Sequence, residues 1–153
     1  MRIRTRLAAV TMVGMMLCWS AYGQTPALRA ERDLFASVNR ARRTQGLAAL
    51  RWDGSLAAAA RRHAEVMAKH GSAQHGFEGE PSLSARVKQA GAHFSSLSEN
   101  VTQGPTSGFI HSQFMKSHPH RANILDTDMD SIGVGVAEQG RQLFAVEDFS
   151  QAR

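Results

Sequence analysis

The 153-residue chain carries 18 Lys and Arg against 13 Asp and Glu, with 7 His, a single cysteine and a formal net charge of +5. That length is one domain at most, with no repeats and no linker long enough to divide it. Arg2, Arg4 and Arg6 supply most of the excess charge, and the surplus of two left without them gives no basic footprint for nucleic acid.

Residues 1–23 read as a secretory signal peptide. The basic start is followed by an apolar run from Leu7 to about Trp19, and Ala21 and Gly23 place small residues ahead of a cut before Gln24. The run is short for a membrane span, so an uncleaved anchor is the lesser reading. Leu17 stands where a lipoprotein signal has a small residue, which argues against lipidation of Cys18. The expected destination is the periplasm or the outside of the cell. The exported chain has no cysteine, so about 130 residues must bury a core without crosslinks, which this length permits.

Residues 24–30 read as a lead-in, with Gln24 to Ala27 loose. Leu34, Phe35, Val38 and Ala41 recur at helical spacing between about Ala27 and Thr44, with Arg29, Arg32, Arg40 and Arg42 at polar positions and Gly46 to end the helix. Leu50 and Trp52 form a short apolar link. Asp53 is placed to cap a second helix, in which Leu56, Ala60, His63 and Met67 share a face, stopping before Gly71. Residues 71–82 are loop, Leu83 to Ala90 a short helix, and Ala92 to Thr102 an extended segment. Ser107 to Lys116 is a helix that Pro119 breaks. Ser131 to Ala137 alternates β-branched residues with Gly and Ala, Gln139-Gly140 turns the chain, and Gln142 to Phe149 returns as a second strand. Helices first and a hairpin last make an α+β order.

The chemistry concentrates in two stretches, Ser98-Glu-Asn-Val101 and Phe114 to Leu125, where ionisable groups stand among apolar ones. His63 lies on an apolar helix face and reads as a core or rim histidine, while His70 and His93 read as solvated. His75 sits in a Gly-flanked loop. Glu99 follows 24 residues later and His120 a further 21. A histidine, a carboxylate and a histidine are the ligand types of an open zinc site and also of a general acid/base set; spacing this wide establishes neither. His118 and His120 straddle Pro119, which is either a metal pair or a polar loop. There is no Gly-x-Ser-x-Gly elbow, no His-Glu-x-x-His helix and no dinucleotide loop, since position 138, where a third glycine would follow Gly133 and Gly135, is Glu.

From about Leu34 to Phe149 these blocks together resemble the CAP superfamily (cysteine-rich secretory proteins, antigen 5 and pathogenesis-related proteins), or SCP domain, in its bacterial form. The resemblance rests on Val38-Asn39-Arg40 with Gly46-Leu47, His63-Ala64, His75, Ser98-Glu99-Asn100-Val101, Ser117 to Leu125, and Ile132-Gly133-Val134-Gly135. It implies a CAP domain over residues 31–150, an α-β-α sandwich with a small antiparallel sheet between helical layers, and a cleft where His75, Glu99 and His120 meet and hold zinc or another divalent metal. Asn100, Ser117 and His118 are further cleft candidates. Four positions depart from the family pattern: Ser98 for a glycine, Phe114 for a tryptophan, His118-Pro119 for Pro-Gly, and Ser117 for the second glutamate of eukaryotic relatives.

The resulting expectation is an exported, non-enzymatic module that binds a ligand, a lipid or an envelope or host partner through this cleft. One alternative is a metal-dependent, peptidase-like hydrolase with Glu99 as ligand or base. The other is a structural envelope protein, in which the same polar residues only brace loops.

Overall fold

The computed structural model describes residues 25–152, so the signal peptide expected at 1–23 lies outside the described residues. Five helices and four strands follow one another as α1 (Pro26–Thr44), β1 (Arg51–Trp52), α2 (Gly54–His70), α3 (Leu83–Gln89), β2 (Phe94–Gly104), α4 (Ser107–Lys116), α5 (His118–Ile124), β3 (Ser131–Gln139) and β4 (Gln142–Ala152). The strands form one sheet in the order β1-β3-β4-β2, antiparallel except where β1 runs parallel to β3. Helices cover both faces, which gives the α-β-α sandwich.

Strand alternation decides which helices lie where. Ile132, Val134 and Val136 point to one face, where Leu34 and Val38 of α1, Ile110 and Phe114 of α4 and Ile124 of α5 complete a core. The intervening Gly133 and Gly135 point to the other face, against α2. A Cβ on Gly133 would lie 2.1 Å from the Ala57 amide nitrogen, and one on Gly135 2.1 Å from that of Arg61. Helix and strand backbones therefore touch, and Ala60, Ala64 and Met67 of α2 continue the contact onto Val101, Phe144 and Val146.

The sequence reading needs four corrections. Pro26 to Ala30 are not lead-in but the first turns of α1: Thr25 Oγ1 accepts from the Leu28 amide at 3.2 Å, and Pro26 suits a helix start. The link at Arg51–Trp52 is a strand, with Arg51 opposite Ser131 and Trp52 opposite Ile132. The stretch after Pro119 is a helix, because proline is tolerated in a first turn whose N–H groups have no partner anyway. The hairpin turn sits one residue later than expected, at Gly140-Arg141, with Gly140 at φ +60°.

Arg42 is also not the solvated residue that its position suggested. It is 2% exposed, and its guanidinium donates to the carbonyls of Ala48 (2.8 Å), Ile124 (2.9 Å), Asp126 (2.7 Å) and Met129 (3.5 Å). Burial lowers its pKa, partly offset by Asp126. Arg42 thus ties the end of α1 to the loop beyond α5. Arg42→Met keeps the stem but strands these buried acceptors, and should lower stability by about 3 kcal/mol. Urea denaturation reads this directly, and a loss under about 1 kcal/mol would remove the clamp role.

Candidate functional site

The site is built on the outer strand β2, where consecutive residues face opposite helical layers. Glu99 stands opposite Asp148 on the α2 side, and Asn100 opposite Glu147 on the α4/α5 side. Two polar clusters therefore lie back to back across one strand.

On the α2 side, the fully buried His63 organises the loop that carries His75. Its Nδ1 is 2.6 Å from Glu80 Oε1, and its Nε2 donates to the Gln74 carbonyl at 2.9 Å. The other Glu80 oxygen accepts from the Phe77 amide at 3.2 Å. His63 is a satisfied core histidine and stands 3.9 Å from Glu99. Glu99 itself has both oxygens engaged: Oε1 with His75 Nδ1 at 2.9 Å, Oε2 with Arg86 Nη2 at 2.5 Å. Arg86 is 5% exposed and is fixed from behind by the carbonyls of His75 (3.3 Å) and Pro81 (3.1 Å). The His75 side chain, in contrast, is 62% exposed. Its Nδ1 is pinned by Glu99 and its Nε2 remains for a ligand. The hydrogen bond to Glu99 raises the His75 pKa, with burial and Arg86 acting against it.

Asp148 completes this cluster. Neither of its buried oxygens has a donor among the described residues, and its neighbour across the ladder is the Glu99 carboxyl. Burial, then the Glu99 charge, push its pKa up, so a proton on Asp148 is what allows the two acids to lie together.

On the other side, Asn100 Nδ2 donates to the His120 carbonyl and to Glu147 Oε2, both at 3.1 Å, while Asn100 Oδ1 accepts from Asn123 Nδ2 at 2.9 Å. This fixes the α5 backbone at His120, whose ring meets Phe114 edge-on at 5.3 Å. Burial lowers the His120 pKa, and the His75 charge lowers it further. The structure thus joins His75 and Glu99 directly and sets His120 within electrostatic reach. Ser117 caps α5 without a side-chain hydrogen bond, and His118 is exposed at its start, outside the network.

Among the described residues no three His, Asp or Glu side chains are placed together to hold a metal ion. The donors present fit a narrower role. Glu99 is shared between a guanidinium and an imidazole, which fixes the orientation of the His75 ring. Glu80, Arg86, Glu147 and Asp148 were all missed in the sequence. Strand pairing alone reveals Asp148 and Glu147, by placing them opposite Glu99 and Asn100. No local pattern marks Arg86, which sits on a seven-residue helix.

Comparison with known proteins agrees with the fold. The chain matches the "Cysteine-rich secretory protein family" (CAP) over residues 35–149. It is 30% identical over 111 residues to the Bacillus subtilis protein YkwD, covering 72% of this chain and 43% of that one. Among solved structures, an extracellular SCP-domain protein from Bacillus anthracis superposes with a TM-score of 0.73 at 24% identity, over 82% of this chain and 41% of the other. An outer surface protein of Borrelia burgdorferi does so with a TM-score of 0.75 at 18% identity, over 82% and 94%. The chain thus spans less than half the length of YkwD and of the Bacillus anthracis protein. No helix among the described residues is long and apolar enough to cross a membrane. With its fold, its strand-borne Glu99-Asn100 pair and its sequence match over most of its length in agreement, the chain belongs to the cysteine-rich secretory protein (CAP) family.

Proposed function

We propose that this CAP domain is an exported, non-catalytic binding module whose cleft offers the His75 and His120 imidazoles to a divalent cation, zinc first. The observation that carries this reading is the state of Glu99. A carboxylate can accept hydrogen bonds and still ligate, but with one Glu99 oxygen held by a buried arginine and the other by His75, positioning His75 is the role this geometry favours. What the arrangement does well is hold His75 in one orientation with Nε2 outward. The bound cation would supply a charged anchor for an acidic group on a partner. Export rests on the leader-like N-terminus and on the extracellular or outer-surface descriptions of two structural neighbours.

Zinc titration of the purified protein in a calorimeter should show about one equivalent bound, lost in His75→Ala/His120→Ala. Glu99→Gln should bind roughly 10–100-fold more weakly while circular dichroism shows the fold intact. Because zinc needs the neutral imidazole and His75 holds its proton above the usual pH range, affinity should rise with pH through the region above 6.5. Heats unchanged in the double variant would refute the reading. Chelator-sensitive turnover that disappears in Glu99→Gln would favour the hydrolase instead.

A further inference from the structure

The opposite edge of the sheet carries a second candidate surface, unrelated to the His/Glu cleft. Three large apolar side chains are left exposed among the described residues, and two of them, Leu28 and Trp52 (each 39% exposed), line the same groove. Its volume is about 260 Å³, and its other walls are Glu31, Arg32, Phe35 and Arg61. Phe35 meets Trp52 edge-to-face at 5.4 Å, so the aromatic wall is held in place.

The groove lies where the sheet runs out of strands. β1 pairs with β3 only at Ser131 and Ile132, while β3 continues to Gln139. Beyond β1, the edge amide of Val136 is taken by a side chain, Glu31 Oε1, at 3.2 Å. Glu31 is in turn gripped by Arg61, with Nε at 2.9 Å and Nη2 at 2.6 Å from its two oxygens. A buried charge at a strand end is one of the ways proteins blunt an open edge. Here it leaves a rigid, partly exposed guanidinium whose Nη1 has no partner among the described residues. The amides of Arg51 and Asp53 bond to β3, at the carbonyls of Asp130 and Ile132. Alternation therefore turns the Trp52 N–H and C=O to the open side.

The charges around the groove do not cancel. Glu31 is matched by Arg61 and Asp130 by Arg51, while Arg32 is exposed and has no carboxylate partner among the described residues. A surface with an aromatic wall, one open backbone N–H and C=O at Trp52 and surplus guanidinium charge is complementary to one kind of occupant. The geometry points to a docking site for an extended acidic peptide segment of a partner protein, placing an apolar side chain against Trp52 and Phe35 and a carboxylate between Arg32 and Arg61. Backbone pairing would come from Trp52, as in strand addition at a sheet edge.

The test uses a fluorescein-labelled, end-blocked peptide, Glu-Leu-Glu-Phe-Glu-Leu, and its Lys-for-Glu counterpart, with binding to the purified protein read by anisotropy. The acidic peptide should bind saturably and weaken with added salt, and the basic one should not bind. Trp52→Ala and Arg32→Glu should each weaken binding at least about tenfold, and neither side chain is buried, so both variants should fold. Quenching of tryptophan emission by unlabelled peptide should vanish in Trp52→Phe, which removes the one tryptophan outside the expected leader. His75→Ala/His120→Ala should leave peptide binding unchanged, which separates this site from the metal cleft. Equal binding of both peptides, binding indifferent to Trp52→Ala and Arg32→Glu, or binding only to vesicles of phosphatidylglycerol would each overturn the proposal.

Discussion

Gly135→Ala should leave the protein largely unfolded under conditions where the parent is native. The added Cβ would sit 2.1 Å from the Arg61 nitrogen and 2.2 Å from the Ala60 carbonyl carbon. Both atoms belong to the α2 backbone, so no side-chain rotation relieves the clash. Helix α2 must lift off β3, and its lift opens the contact of Ala60, Ala64 and Met67 with the sheet. Overpacking a well-filled core costs about 1–3 kcal/mol where side chains can yield, and more where only backbone faces backbone. A loss of more than about 4 kcal/mol takes a large share of the roughly 5–15 kcal/mol expected of a domain, enough to unfold it in urea that leaves the parent native. Far-UV circular dichroism with a urea titration checks it. Gly108→Ala is the control: it lies in the first turn of α4 with nothing within 4 Å of its Cβ position, and the change should be neutral to stabilising by less than about 1 kcal/mol. A Gly135→Ala midpoint near that of the parent would mean that α2 and β3 are not in backbone contact.

The same glycines explain why β3 was legible in the sequence. Alternation of Ile132, Val134 and Val136 with Gly133, Gly135 and Ala137 marks one face for side-chain packing and one for close approach. Helices α1 and α2 were legible because three turns or more of periodic apolar residues average out local exceptions, and the shorter α3 and α4 because Gly91 and Pro119 mark where they must stop. What stayed hidden depended on pairing. Arg51 and Trp52 are too few to show a period, and only β3 makes them a strand. Pro119 signals a helix end as readily as a helix start, so α5 was lost beside the break it follows. His75 and Glu99 could be named together through the family resemblance. The buried Arg86 that neutralises Glu99 could not, because an arginine on a short helix looks the same in sequence whether it faces water or a carboxylate. Arg42 was misplaced for the same reason: its acceptors are backbone carbonyls, which leave no trace in residue type.

Glu147 is the residue whose pairing has the clearest thermodynamic consequence. It is fully buried on the α4/α5 side of β4, its Oε2 accepts from Asn100, and its Oε1 has no partner among the described residues. Burial pushes its pKa up to about 8 from an ordinary 4.5, against the smaller pull of the Asn100 hydrogen bond. Between these values the unfolded chain has released the proton that the folded chain retains. Stability must therefore fall as pH rises from about 4.5 to about 8, by up to about 1.4 kcal/mol per pH unit, and this group adds no further change above that. The ceiling is about 5 kcal/mol, reduced by whatever structure the unfolded chain retains. Glu147→Gln keeps an oxygen for Asn100 and removes the proton. At pH 5 it should match the parent to within about 1 kcal/mol, and at pH 8 it should be the more stable by several. Asp148 and His75, whose folded pKa values are also raised, push stability the same way with rising pH, so the variant keeps part of the slope. The difference between parent and Glu147→Gln, taken from urea curves across pH 5 to 9, isolates the one carboxyl. A difference that does not grow with pH would show that Glu147 is ionised in the folded protein, with a counter-charge or water beside it.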